Sequence, residues 1–290
     1  MKDQTFKIIV LTTLALIAFA ANSVLCRLAL GGKTIDASGF TSVRLLSGAL
    51  VLYLIISLGK NKTSPTKNGS WFSAIMLFLY AITFSYAYIS LDTGTGALIL
   101  FGAVQITMIL LSIYYGNRLH FTEWIGVIIA FTGFVYLLLP GVHMPSIRGF
   151  ILMTLAGIAW GFYTVHGRAS TNPVRDTAYN FLKTIPLVLI LIAITFKQVN
   201  YSTEGIVLAM VSGGITSGIG YTIWYMALRG LSSVQAAVLQ LLVPIIAAFG
   251  GVLFISEKIT LRLTTASLLI LGGILMVLLG KKFQTKTDKS

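Results

Sequence analysis

The chain has 290 residues, of which 56% are hydrophobic and only 10% are charged, and its formal net charge is +13. Soluble proteins of this size need far more charged surface, so the composition excludes a large soluble protein. The basic residues lie in short islands between apolar runs, which is typical of membrane-protein loops and argues against a nucleic-acid-binding surface.

Apolar runs of membrane-spanning length recur along the whole chain. A hydrocarbon core about 30 Å thick needs about 20 apolar residues at helical rise, and such runs can satisfy their backbone there only as helices. The runs predict an all-α integral membrane protein with ten transmembrane helices. The predicted spans are 7–30, 38–58, 71–91, 94–116, 122–139, 148–168, 177–196, 205–227, 233–256 and 260–280.

The first apolar run also resembles a secretory signal peptide. Lys2 and Lys7 flank its start, and Ala18-Phe19-Ala20 has the small-residue pattern of a cleavage site. The run continues to Leu30, however, and its register matches a segment in the second half of the chain. We therefore expect this run to be retained as the first transmembrane helix.

The distribution of Lys and Arg between the links predicts the orientation, because cytoplasmic loops carry an excess of these residues. With the N-terminus inside, the outer side receives five, namely Lys33, Arg148, Lys197, Lys258 and Arg262. The inner side receives thirteen, namely Lys2, Lys7, Lys60, Lys62, Lys67, Arg118, Arg168, Arg175, Arg229, Lys281, Lys282, Lys286 and Lys289. Both termini are therefore predicted to be cytoplasmic.

The two halves of the chain match each other. Residues 94–139 align with 234–279 without a gap, which brings Gly133 onto Gly273. Each half holds five predicted spans, and because five is odd, the second half must be inserted upside down relative to the first. We therefore divide the chain into two inverted five-helix repeats, 1–142 and 143–290. Inverted repeats are typical of secondary transporters, which bind their solute near the membrane midplane.

The C-terminal part carries a set of residues that matches a family signature, namely Tyr225, Ala227, Leu228, Ala236, Ala237, Pro244, Glu257 and Gly273. This set resembles the signature of the EamA family of the drug/metabolite transporter superfamily. The resemblance covers nearly the whole chain and implies ten helices in two inverted repeats around a solute cavity. Val104 and Asn117 stand at the family's proline and glutamate positions in the first repeat, which leaves open whether the fourth span bends as the ninth should.

Carboxylates are missing from the middle of every predicted span. Asp and Glu lie in links or at span ends, and Glu123 starts the fifth span. Proton-coupled carriers of cationic drugs use an intramembrane carboxylate, so its absence argues against cation/proton antiport. The three histidines are scattered, and no nucleophile is paired with a base. We therefore predict that the protein is not an enzyme and has no metal site and no cofactor.

Polar and aromatic residues within the spans are the candidates for solute binding. Aromatic residues recur at helical spacing in the third, sixth and eighth spans, and Tyr and Trp suit an amphipathic organic solute. Amides at depth must face the bundle interior, where their alternative role is to join helices. The predicted solute-binding set is Asn22, Tyr80, Phe84, Gln105, Trp160, Tyr163, Tyr221, Trp224 and Gln240.

Glycine, proline and basic residues add candidates for gating and for solute attraction. Pro244 should bend the ninth span, and Gly214 with Gly218 forms a small-x-x-x-small pair, for which simple helix packing is the alternative. Arg27, Arg44 and Lys183 fall within or near span ends. They could form a vestibule that attracts anions, or they could extend to the lipid headgroups.

The resemblance implies a secondary transporter that exports amino acids or related metabolites from a bacterial cytoplasm, through the inner membrane, by alternating access. The alternatives are a multidrug or nucleotide-sugar carrier, and a non-transporting membrane scaffold subunit. A midplane cavity closed by side chains would favour the scaffold, whereas an open one lined by Trp160 and Gln105 would exclude it. The expected partners are a small-molecule metabolite and the lipid bilayer, with no nucleic acid. Association of copies into a homo-oligomer stays open.

Overall fold

The computed structural model describes residues 2–58, 69–116, 121–139, 144–167, 170, 172–196, 200–228, 230–231 and 233–287. Within these ranges the structure is helical and contains no strand, and one isolated antiparallel bridge joins Ile35 to Tyr201. Ten helical segments are long and apolar enough to cross a membrane. The predicted all-α membrane fold with ten spans is therefore confirmed, while the inversion of the second repeat stays a prediction.

The first half of the chain forms five helices joined by short links. They are α1 (Lys2–Gly31), α2 (Ala37–Leu58), α3 (Trp71–Tyr88), α4 (Thr93–Tyr114) and α5 (Phe121–Leu138). These bounds agree with the predicted spans to within a few residues, although α1 begins at Lys2 rather than at residue 7. Helix α4 continues without interruption through Val104, so the fourth span does not break, and Asn117 lies outside the described residues.

The second half forms five spans from more pieces. They are α6 (Ile147–Gly167), α7 (Pro173–Thr195), α8 (Thr203–Val211), a π-helical segment (Ser212–Ile219), α9 (Gly220–Leu228), α10 (Ser233–Gln240), α11 (Val243–Ile255) and α12 (Leu261–Thr287). Helices α8 and α9 with the π-helical segment make the eighth span, and α10 with α11 makes the ninth. The predicted start of the seventh span, residue 177, is late because Asn172 caps α7 by accepting from the Arg175 amide at 3.3 Å.

The π-helical segment packs tightly against α2. A Cβ at Gly213 would lie 2.0 Å from the carbonyl oxygen of Arg44 and 2.1 Å from Ser47 Oγ, so only glycine permits this approach. A Cβ at Gly214 would meet its nearest neighbour at 3.1 Å, and one at Gly218 at 3.4 Å. The closest helix contact therefore lies at Gly213, one residue away from the predicted pair.

The ninth span is divided rather than gently bent. A turn at Leu241 and Leu242 separates α10 from α11, and Pro244 lies in the first turn of α11. Proline is well tolerated there, because the N–H that it lacks would have no partner within the helix. The structure thus places the interruption just before Pro244.

Helices of one half pack mainly on helices of the other. Helix α2 packs on α7, and α5 packs on α12. Two contacts of the sixth span have counterparts at the first span. The contact of α3 with α6 corresponds to that of α1 with α9, and the contact of α4 with α6 corresponds to that of α1 with α11. The interior is therefore built by both halves together. The bundle has two ends. We call the N-terminal end the one at which α2 ends and α3 begins, and at which α6 ends and α7 begins. The opposite end carries the α1–α2, α3–α4, α7–α8 and α11–α12 links.

Candidate functional site

Aromatic rings meet in the centre of the bundle around Trp160 of α6. Its ring centroid lies 4.8 Å from that of Tyr80, 5.0 Å from that of Tyr221 and 5.2 Å from that of Tyr163. Phe84 extends the group, 5.3 Å from Tyr80. Tilted and offset rings at such distances attract one another. The structure therefore brings together five of the predicted solute-binding residues, from α3, α6 and α9.

A buried polar group lies beside these rings and joins α1 to α3 and to the π-helical segment. Asn22 donates through Nδ2 to the hydroxyl oxygen of Tyr80 at 3.4 Å. Its Oδ1 accepts from Ser212 Oγ at 2.6 Å, and Thr216 Oγ1 lies 3.3 Å from the same oxygen. Because an amide in an apolar interior needs partners, these contacts hold α1 in register with the second half.

Arg44 of α2 also lies in this centre. It is 1% exposed, and its Nε donates to Ser217 Oγ at 3.3 Å while its Nη2 donates to the Tyr80 hydroxyl oxygen at 3.0 Å. Its Cζ lies 5.1 Å from the ring centroid of Tyr80 and 4.9 Å from that of Phe84, which is cation–π geometry. The alternative that Arg44 extends to the headgroups is wrong, because its guanidinium finds these partners inside the bundle.

A small cavity of about 20 Å³ lies between the rings and Asn22. Its walls are Phe19, Asn22, Ser23, Tyr80, Phe84, Leu100, Phe101, Trp160 and Tyr221, and we call it the central chamber. This volume holds about one water molecule. The centre of the bundle is therefore closed by side chains in this conformation.

A wide cleft opens at the N-terminal end of the bundle. Its volume is about 910 Å³, and its walls come from α3, α4, α6 and α7 with their links. Asn180 lines the cleft and donates to the hydroxyl oxygen of Tyr163 at 3.5 Å. Tyr163 in turn stacks on Trp160 with an interplanar angle of 24°. These two rings form the layer between the cleft and the central chamber.

Charged side chains pair at the opposite end of the bundle, beside a surface pocket of about 200 Å³. Arg27 of α1 pairs with Glu257 and with Asp92, each at 3.3 Å. Glu257 also accepts from the Thr93 amide, at 3.0 Å through Oε1 and 2.9 Å through Oε2. Burial raises the pKa of the Glu257 carboxyl, and the Thr93 amide and Arg27 oppose that shift. We call these four residues the Arg27–Glu257 clasp, and they join the first half of the chain to the second.

A second contact at this end joins the α1–α2 link to the α7–α8 link. The Asp36 amide donates to the carbonyl oxygen of Asn200 at 3.1 Å, and the Ser202 amide donates to that of Thr34 at 2.9 Å. These bonds flank the bridge between Ile35 and Tyr201. The two halves are therefore held together twice at the end opposite the cleft.

Four other predicted residues lie outside the central chamber. Gln105 is buried and donates through Nε2 to the carbonyl oxygen of Ala237 at 3.4 Å, which joins α4 to α10 as the helix-joining alternative supposed. Gln240 is buried at the end of α10. Trp224 meets Phe19 edge to face at 5.6 Å. Lys183 Nζ donates to the carbonyl oxygen of Gly69 at 3.0 Å, on the side of the cleft.

Several residues of the site were not predicted from the sequence. Phe19, Ser212, Thr216 and Ser217 all contact the predicted residues. From the run 212–218 the sequence singles out only Gly214 and Gly218, as candidates for gating or for helix packing. The available signal was the spacing of Ser212 and Thr216, since hydroxyls four residues apart share one face of a helix.

Candidate metal ligands are dispersed, and no three His, Cys, Asp or Glu side chains of the described residues come together in a group that could hold a metal ion. The geometry offers instead a closed apolar chamber with a few fixed polar groups, which is the usual construction of a site for a small organic molecule.

Comparison with known proteins places this geometry in a family context. The family model described as "EamA-like transporter family" matches residues 6–139 and again 147–279. "Uncharacterized protein PA1977" of Pseudomonas aeruginosa is 44% identical over 270 residues, which cover 93% of this chain and 94% of that protein. A "Probable amino-acid metabolite efflux pump" of Escherichia coli (strain K12) is 23% identical over 234 residues, covering 72% and 78%. A crystal structure with 19% identity shares the fold with a TM-score of 0.61, covering 92% of this chain and 96% of that one.

Proposed function

The chain belongs to the EamA-like transporter family, and on that premise we propose that it moves a small organic metabolite across the membrane by alternating access. Amino acids or related metabolites are the proposed cargo, and export is the proposed direction. Relatives named as amino-acid metabolite efflux pumps, 22% and 23% identical to this chain, support this choice.

The central chamber is the observation on which the proposal rests. It lies between a cleft that is open at one end of the bundle and the Arg27–Glu257 clasp at the other. Its walls come from both halves of the chain, with Asn22 and Tyr80 from the first and Trp160 and Tyr221 from the second. Relative movement of the halves would therefore change the chamber and its access at the same time.

We propose that the moving units are the two repeats, 1–142 and 143–290, with the second inverted. The family model matches each half separately, which supports the division. The paired contacts support the inversion: α3 with α6 corresponds to α1 with α9, and α4 with α6 corresponds to α1 with α11. Two related units that pack reciprocally can rock about the contacts between them.

The proposed orientation places the cleft in the cytoplasm. The excess of Lys and Arg on the links at the N-terminal end supports it. Ten apolar spans and bacterial relatives support a bacterial inner membrane as the location. With this orientation the cleft would admit a cytoplasmic solute, and the Arg27–Glu257 clasp would be the outer gate.

The closed centre of the bundle, taken alone, would favour a role as a non-transporting scaffold subunit. Membership in a transporter family and the open cleft argue against it, because an occluded conformation of a transporter has the same closed centre. The described spans carry no carboxylate in the central chamber, which disfavours a carrier of cationic drugs.

An efflux comparison tests the proposal. Cells that express the chain, cells with an empty control and cells that express Trp160→Ala would be compared by mass spectrometry of small molecules in the medium. We expect at least one metabolite to accumulate only with the unchanged chain, and its export to need about fivefold higher cytoplasmic concentration in the variant, since one ring contact is worth about 1 kcal/mol. Tyr53→Ala, on a half-exposed ring of α2 outside the site, is the matched control. Identical media from all cells at equal membrane abundance would refute transport.

A further inference from the structure

Among the described residues, no carboxylate forms an ion pair with the buried guanidinium of Arg44. Arg27, by contrast, pairs with Asp92 and with Glu257. Buried charges in proteins are normally paired, and an arginine within a membrane is costly unless something compensates it. The partners of Arg44 are two neutral hydroxyls and two ring faces, which supply only part of what a carboxylate would.

One nitrogen of this guanidinium is free to take a ligand. Nη1 is fully buried and has no hydrogen-bond partner, whereas Nε and Nη2 are both engaged. A buried donor without an acceptor is unfavourable, and charge-assisted bonds from arginine to carboxylate are among the strongest that such a donor forms. The guanidinium is therefore poised to donate to an anionic oxygen.

The position of Arg44 connects it to the central chamber. The rings that hold its guanidinium, Tyr80 and Phe84, are also walls of the chamber. The remaining walls include the faces of Trp160 and Tyr221 and no acidic side chain. Arg44 is not itself a wall of the chamber, so an anionic head would reach its guanidinium past the rings of Tyr80 and Phe84 while the apolar body lies on aromatic faces. A cationic solute would meet no opposite charge among the walls.

Resting on the proposed function, the geometry points to Arg44 as the solute-binding cation and to an organic monocarboxylate with an apolar body as the solute. The carboxylate oxygen accepts from Nη1, and the body lies against Trp160 and Tyr221. Because the chamber now holds about one water molecule, the layer formed by Tyr163 and Trp160 must move aside to admit the solute from the cleft.

The test uses probes that share one apolar body and carry an anionic, a neutral or a cationic head group. The purified full-length protein in chloride-free detergent buffer would receive 3-phenylpropionate, its amide or phenethylamine, and a second series with aliphatic bodies. Binding would be followed by the shift in melting temperature with probe concentration. We expect the carboxylates to bind at least tenfold more tightly than their amides and the amines not to bind. Amides that bind as tightly as carboxylates, or carboxylates that fail in both series, would overturn the inference.

Substitutions at Arg44 test whether this residue causes the preference for carboxylates over amides. Arg44→Gln should reduce the ratio of carboxylate to amide affinity to about one, and Arg44→Lys should retain part of it. Arg148→Gln, on the exposed side of α6, removes the same charge and should leave the ratio unchanged. An unchanged ratio in Arg44→Gln would refute the assignment, and if that variant does not fold, an unchanged ratio in Arg44→Lys would do so.

Further controls separate this inference from the proposed function. If chloride alone stabilises the protein and displaces every carboxylate, the site takes an inorganic anion and the inference fails. If the efflux comparison finds a neutral or cationic solute, transport stands and the anionic solute is refuted. If no solute is exported, the proposed function itself fails.

Discussion

Removal of the Glu257 carboxylate should open the end of the bundle that lies opposite the cleft. This side chain is 12% exposed and accepts from Arg27 and from the Thr93 amide, so it ties α1 and the start of α4 to the end of α11. Glu257→Gln retains an acceptor for the amide but loses the charge that attracts Arg27. Glu257→Ala loses both, although Asp92 remains beside the guanidinium.

The free energy by which each Glu257 variant weakens the closed state follows from the contacts that it removes. Hydrogen bonds to charged groups contribute about 1.5–3 kcal/mol, and neutral ones about 1 kcal/mol. We therefore expect Glu257→Gln to weaken the closed state by about 1 kcal/mol and Glu257→Ala by about 2 kcal/mol. Since 1.4 kcal/mol corresponds to a factor of about ten, the open population should rise about fivefold and about thirtyfold.

Cysteine labelling measures this population. Ser23 lines the central chamber and is 1% exposed, so Ser23→Cys with Cys26→Ala gives a thiol that a membrane-impermeant maleimide added at this end reaches only after opening. The labelling rate should rise about fivefold in Glu257→Gln and about thirtyfold in Glu257→Ala. Glu204→Gln, an exposed acidic residue in the first turn of α8, should leave it unchanged. Equal rates with Glu257 and with Ala at this position would refute the gating role of the clasp.

Two further predictions concern packing and topology. Gly213→Ala, whose Cβ would lie 2.0 Å from a backbone oxygen of α2, should cost about 1–3 kcal/mol by thermal unfolding in detergent, whereas Gly272→Ala, with nothing within 4 Å, should cost little. Cysteines at Ser64 and Asn200 should react only from the cytoplasm and only from outside respectively, and reversed labelling would overturn the orientation.

The ten spans could be predicted because bilayer thickness fixes the length of an apolar run, whatever the details of packing. The aromatic group was predicted for a similar reason, since rings at helical spacing share a face. The π-helical segment could not be predicted, because a run of Gly, Ser and Thr has no hydrophobic period that marks a change of helix type. Its tight approach at Gly213 depends on α2, which is distant in sequence.

The partners of Gln105 and Arg44 could not be predicted from the sequence. The sequence placed Gln105 in the solute-binding set and Arg44 near a span end, in a vestibule or at the lipid headgroups. The structure engages Gln105 with a backbone carbonyl oxygen of α10, whereas one nitrogen of Arg44 stays without a partner. That difference depends on which residues of the other half face each side chain, and no single span contains this information.

Arg44 also has a consequence for how the protein is made. Its partner Tyr80 follows 36 residues later, but Ser217 follows only after 173. At about 5–20 residues per second, a ribosome takes roughly ten to thirty seconds to reach Ser217. During that time α2 resides in the bilayer with an arginine that disfavours insertion by about 2.5–3.5 kcal/mol on the translocon scale. The hydrogen bonds of Arg44 can therefore be complete only after the π-helical segment of the second half has been synthesised.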